Sequence, residues 1–83
     1  MSVAARLEIP GERAVVEPVV IENISIHGAR IVARRSYPVR DSLVIADVFG
    51  TFRLDARVIY CENLVDGKCA IGLRFREAAV PLG

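Results

Sequence analysis

Asp66-Gly67 is the feature that most limits the folds open to this chain. Both central residues of a type I′ turn need positive φ, so this pair predicts a two-residue hairpin between its flanking runs. That loop would set Tyr60 opposite Leu73 and Val58 opposite Phe75. A second tight turn is predicted at Gly50-Thr51, setting Ile45 opposite Ala56 and Leu43 opposite Val58. The two registers agree. They put Leu43, Ile45, Leu54, Ala56, Val58, Tyr60, Ile71, Leu73 and Phe75 on one face, with Arg53, Asp55 and Arg57 on the other. Side chains alternate along a strand, so this agreement points to a half-buried antiparallel meander. The predicted class is all-β, curling into a small antiparallel barrel.

The first half is less explicit. Leu7 and Ile9 alternate with Glu8 before a Pro10-Gly11 turn, and residues 1–12 are expected to be a flexible N-terminal arm on a single domain spanning 1–83. The run from Ala14 to Glu22 is rich in β-branched residues but contains Pro18, which predicts an interrupted strand at an edge or bulge. Ala29 to Ala33 reads as the next strand, Ser36-Tyr37-Pro38 as a break, and Leu43-Val44-Ile45-Ala46 as a further strand. Ala78-Ala79-Val80-Pro81 suggests a short helical turn. With 83 residues the chain is small for a single core, but its 53% apolar content supplies one without disulfides. No apolar run approaches the ~20 residues that span a bilayer, and the N-terminus lacks a secretory layout. The expectation is a cytoplasmic protein that does not insert into membranes.

Several chemistries are disfavoured by the residues themselves. The predicted hairpin sets Cys61 opposite Gly72 and Cys69 opposite Leu64 on opposite faces, which predicts two free thiols. His27 is the only histidine, and a structural zinc site needs about four compact ligands, so neither metal nor cofactor is expected. No nucleophile motif, carboxylate pair or phosphate-binding glycine loop accompanies it, so the chain is not expected to be an enzyme. His27 itself reads as a turn residue of unusual backbone conformation. Net charge is only +1, yet four arginines (Arg30, Arg34, Arg35, Arg40) and no acid occupy residues 23–40. Guanidinium groups can fork onto phosphate and stack on rings. A nucleic-acid polymer is nonetheless not the expected partner, because exposed aromatic platforms are scarce.

The remaining feature is a polar corner, Asn23-Ile24-Ser25-Ile26-His27-Gly28, between the apolar runs Val19-Val20-Ile21 and Ile31-Val32-Ala33. Its amide, hydroxyl and backbone N–H groups suit an anionic ligand. The same residues also suit a turn in which the side chains bond their own backbone.

With the residues that follow, Asn23-Ile24-Ser25-Ile26-His27-Gly28-Ala29-Arg30-Ile31 resembles the [Asp/Asn]-x-Ser-x-x-Gly motif of PilZ domains, bacterial receptor modules for cyclic di-GMP. The similarity continues through Leu43-Val44-Ile45, Leu54-Asp55-Ala56-Arg57-Val58 and Ile71-Gly72-Leu73-Arg74-Phe75. The resemblance implies a six-stranded PilZ-like β-barrel. It implies that Asn23 and Ser25 bind guanine edges and phosphate, that Gly28 keeps the corner open, and that Arg6 and Arg30 complete the site. Family members also carry Arg-x-x-x-Arg before the first strand. Here Arg6 stands alone before Pro10-Gly11, with Ser2 four positions earlier. The implied function is a non-enzymatic module that binds cyclic di-GMP and relays it to a protein partner in bacterial second-messenger signalling. The alternative is a PilZ-like protein–protein interaction module that does not bind the nucleotide.

Overall fold

The structure is a computed structural model that describes residues 3–9, 16–49 and 52–76. It contains six strands: β1 (Val3–Glu8), β2 (Val16–Ile24), β3 (Gly28–Ala33), β4 (Ser42–Asp47), β5 (Arg53–Asn63) and β6 (Cys69–Phe75). All pairs are antiparallel, and β1 bonds to both β2 and β4, closing the ring β1-β2-β3-β6-β5-β4. Closure removes the unpaired edges that make open sheets prone to association. Within the ring, β-branched and leucine side chains alternate inward. Leu7, Ile31, Leu43, Ile45, Val58, Ile71 and Leu73 are fully buried, and Leu54 and Phe75 pack against them.

The six-stranded antiparallel barrel is thus as the sequence implied, but the strands meet differently. Between β4 and β5 the pairs are Leu43↔Ala56 and Ile45↔Leu54, two residues from the predicted register. A slip of two preserves faces, so Leu43, Ile45 and Ala56 still point inward. The Asp47 carboxylate accepts the Phe52 N–H at 3.2 Å, drawing the two strand ends together earlier than a turn centred on Gly50-Thr51 would. Gly50 and Thr51 themselves lie outside the described residues.

The β5–β6 connection differs in kind. Leu64 N–H donates to the Lys68 carbonyl at 2.8 Å and Gly67 N–H to the Leu64 carbonyl at 3.1 Å, with Gly67 at φ 87°. This is a three-residue loop with glycine in the left-handed region, not the two-residue type I′ turn. Lys68 N–H also bonds the Asp66 carboxylate at 3.1 Å, fixing the loop. An odd loop shifts the pairing by one, giving Tyr60↔Gly72, Cys61↔Ile71 and Asn63↔Cys69. A bulge between Val58 and Tyr60 then restores the apolar face, with Val58↔Leu73 and Ala56↔Phe75. Tyr60, expected in the core, is therefore outside, 37% exposed. Cys61 and Cys69 lie on one face, contrary to the predicted divergence, because Asn63 opposite Cys69 shares Cys61's side of β5. Both are free, and burial, with Cys61 and Glu17 nearby, raises the Cys69 thiol above its ordinary value.

Other expectations need correction. Val3–Glu8, placed within a flexible arm, is instead the strand that closes the barrel. β2 runs uninterrupted through Pro18, which pairs with Arg6. The first β2–β3 pair is Val20↔Val32, so Pro18 sits where β2 has a neighbour on one flank alone, a position that tolerates a missing donor. His27 has no positive φ; among the described residues only Arg40 and Gly67 do. Arg40 occupies the third position of a turn closed by Asp41 N–H to the Pro38 carbonyl at 3.2 Å. The suggested helical turn near Pro81 lies outside the described residues.

At the end of the barrel away from the polar corner, Glu17 is 6% exposed and points inward from β2. Its carboxylate accepts the Tyr37 hydroxyl and the Arg34 backbone N–H, the latter at 2.6 Å. These bonds tie the β3–β4 connection to β2. A buried carboxylate deprived of a donor keeps its desolvation penalty. Tyr37→Phe is therefore expected to lower stability by about 1–3 kcal/mol in urea denaturation. Burial first, then the bond to Glu17, hold the Tyr37 phenol above its usual value. A raised folded value favours folding below the unfolded value of about 10 and is lost as pH climbs past it. Wild-type stability should fall from about pH 10 upward through this group, a limb that Tyr37→Phe lacks.

Candidate functional site

The site is built on one row of the barrel wall. Arg30 on β3 lies opposite Gly72 on β6, and Gly72 lies opposite Tyr60 on β5. A Cβ on Gly72 would run into the Tyr60 ring, so glycine is required for the aromatic to lie flat across the strand. From there the Tyr60 hydroxyl accepts an Arg30 Nη1–H bond at 2.8 Å, and the guanidinium carbon sits 5.9 Å from the ring centroid. On the other flank a second bulge, between Ile21 and Asn23, leaves Glu22 and Asn23 together beside Arg30. Arg30 Nε donates to Glu22 Oε1 at 3.1 Å, and Nη1 reaches Glu62 Oε1 at 3.3 Å. Tyr60 first, then Glu22, hold the Arg30 cation above its ordinary value.

The polar corner sits at the end of this row. Ser25 N–H donates to the Gly28 carbonyl at 2.8 Å, and the Ser25 hydroxyl accepts the His27 N–H at 3.2 Å. The Ser-assisted turn anticipated from the sequence is therefore present. Phe75 N–H bonds to the His27 carbonyl at 2.8 Å and pins the corner to β6. Gly28 has a structural reason to be glycine, because a Cβ there would strike the Leu73 carbonyl oxygen. The Asn23 amide has no partner among the described residues.

Asn23, Ser25, Gly28 and Arg30 line a single concavity of about 330 Å³. Arg6 does not. It lies in mid-β1 between Pro18 and Ala46, 4.0 Å from Glu8, whose carboxylate also accepts Arg53 at 2.8 Å. The structure adds residues that sequence reasoning did not assign to the site: His27 on the rim, Ile59 and Arg74. Ile59 is 48% exposed because the bulge turns it and Tyr60 outward in succession. Only a correct loop length for the last hairpin would have revealed that break in alternation. The walls thus combine an aliphatic surface, two guanidinium groups, a free amide and a hydroxyl. Such a surface can hold a flat ring beside an anion.

A PilZ domain family model matches residues 1–81, and the chain belongs to that family. No curated protein and no solved structure matches it. The family is one of cyclic di-GMP receptor and effector modules that are generally not enzymes. Among the described residues there is no group of His, Cys, Asp or Glu suited to holding a metal, and no helix long and apolar enough to cross a membrane.

Gly28→Ala should displace the corner from β6, since the obstacle is backbone rather than a flexible side chain. The expected cost is about 1–3 kcal/mol in urea denaturation, as for other over-packed positions. Chemical-shift changes should concentrate on Ser25, His27, Leu73 and Phe75.

Proposed function

We propose that this PilZ domain is a non-enzymatic receptor for cyclic di-GMP, which binds in the concavity between the polar corner and β6. The observation that carries the reading is the convergence of Asn23, Ser25, Gly28 and Arg30 on one cleft. At about 330 Å³ the cleft is near the lower end of ligand sites, roughly 300–1,000 Å³. It suits one guanylate half, with the second lying along the outer wall. In this reading the unpartnered Asn23 amide meets a guanine edge, Ser25 donates its hydroxyl proton to a phosphate oxygen, and Ile59 supports the base. Asn and Ser offer the complementary donors and acceptors for such groups. Arg6 faces another part of the wall and is left out of the set. Ligand bound here touches β2, β3, β5 and β6 at once, so it can alter a surface that a protein partner reads.

Calorimetric titration with cyclic di-GMP tests this. Wild-type protein should bind, and Asn23→Ala and Ser25→Ala should each weaken binding roughly tenfold or more, the value of one or two hydrogen bonds to a charged or polar ligand. An unchanged circular dichroism spectrum would show that the corner still folds. Absence of heat or competition at high micromolar nucleotide would reject the reading.

A second reading has its own support. Val48 and Phe49, just after β4, are 47% and 86% exposed, and Phe52, just before β5, adds to them. Neighbouring exposed apolar residues suit protein contact. If nucleotide binding fails while capture of a partner depends on Phe49, the domain is an interaction module that does not use the cleft.

A further inference from the structure

We propose that Arg74 and Arg57 form the phosphate grip of this cleft, a role that rests on reading the cleft as a nucleotide site. Gly28, Arg74, Arg57 and Ser42 follow one another across β3, β6, β5 and β4 as directly opposed residues. Arg74 lines the cleft, and Arg57 is its cross-strand neighbour; both are exposed. Opposed residues hold their Cβ atoms about 4.5–5.5 Å apart, and like charges so placed repel. An adjacent carboxylate usually relieves such a pair. Here none does: ion pairs among the described residues are made by Arg6, Arg30 and Arg53, not by Arg57 or Arg74. Asp55, two residues before Arg57 on the same face, makes no ion pair with it.

The other guanidinium of the cleft is already engaged. Arg30 gives Nε and Nη1 to Glu22, Tyr60 and Glu62, so an incoming anion meets a cation whose charge two carboxylates already offset. Arg74 has no such commitment, and Gly28 beside it carries no side chain to obstruct approach. A phosphodiester offers two free oxygens to one fork, while the second cation completes charge neutralisation. The repulsion between the two arginines in the empty protein is then exchanged for attraction in the complex. This supplies, from strands β5 and β6, the phosphate contact for which the chain has no Arg-x-x-x-Arg before Pro10. The selected ligand class is a nucleotide carrying a phosphodiester or diphosphate group close to its base.

The test follows arginine Nε–Hε resonances of the labelled full-length protein during titration with cyclic di-GMP and, separately, inorganic pyrophosphate. Calorimetry with cyclic di-GMP is run in parallel on Arg74→Gln, Arg57→Gln and Arg53→Gln. Arg74→Gln and Arg57→Gln should each weaken binding roughly tenfold or more, and Arg53→Gln by less than about twofold. Without ligand, Arg57→Gln should melt no lower than wild type, because a repulsive pair has been removed. Equal affinity in wild type and in both grip variants would overturn the proposal while leaving the cleft a nucleotide site. If cyclic di-GMP does not bind but pyrophosphate shifts the Arg57 and Arg74 signals, the grip stands and the nucleotide reading falls. Silence toward both probes overturns the two together.

Discussion

Two β-bulges, one at Glu22 in β2 and one at Ile59 in β5, lie on either side of the Arg30–Gly72 pair. A ring of hydrogen-bonded strands has no free edge at which a one-residue offset can be absorbed. Each slip turns a whole strand inside out, so it must be cancelled within the strand by an extra residue. The bulge in β5 cancels the offset set by the three-residue loop and returns Val58 and Ala56 to the interior. Its by-product is a pair of consecutive outward residues, Ile59 and Tyr60. The bulge in β2 likewise delivers Glu22 and Asn23 side by side. The cleft is what these two corrections leave between them.

That origin explains why the arginine of the motif is an ambiguous cation. Arg30 is held at 3.1 Å by Glu22 and at 2.8 Å by Tyr60, both from bulged segments. The Tyr60 ring in turn covers Gly72, where a side chain would collide. Arg30 therefore ties three strands together across the outer wall. Exposed ion pairs contribute little singly, but a guanidinium bonded to a hydroxyl and two carboxylates is positioned more firmly than a lone pair. Arg74, two residues beyond Gly72 on the same face of β6, carries the same charge with none of this restraint. Position in the bulged row separates a cation that braces the wall from one that can answer an anion.

The sequence was informative wherever parity alone mattered. Alternation in β4, β5 and β6 gave the inward residues Leu43, Ile45, Ala56, Val58, Ile71 and Leu73 despite a wrong β4–β5 register, because the error was an even number. It failed where one residue decides. Asp-Gly is compatible with both a two-residue loop and a three-residue loop ending in glycine, and the choice here moved Tyr60 outward and aligned Cys61 with Cys69. Arg6 was misplaced for a related reason: a short alternating run followed by Pro10-Gly11 reads equally as an arm or as a strand. Only the partners β2 and β4 settle that. The corner was legible because its turn chemistry is local, down to the Ser25 hydroxyl on the His27 N–H.

Glu17 and Tyr37 close the opposite mouth of the barrel, near the start of β2, whereas Asn23 and Ser25 occupy its far end. The buried acid is anchored at one end, and the unpartnered amide opens onto the cleft at the other. The bonds of the seal and those of the corner share no residue, so each set is made independently of the other. A barrel divided in this way keeps the contacts that close one mouth separate from the residues that line the cleft at the other.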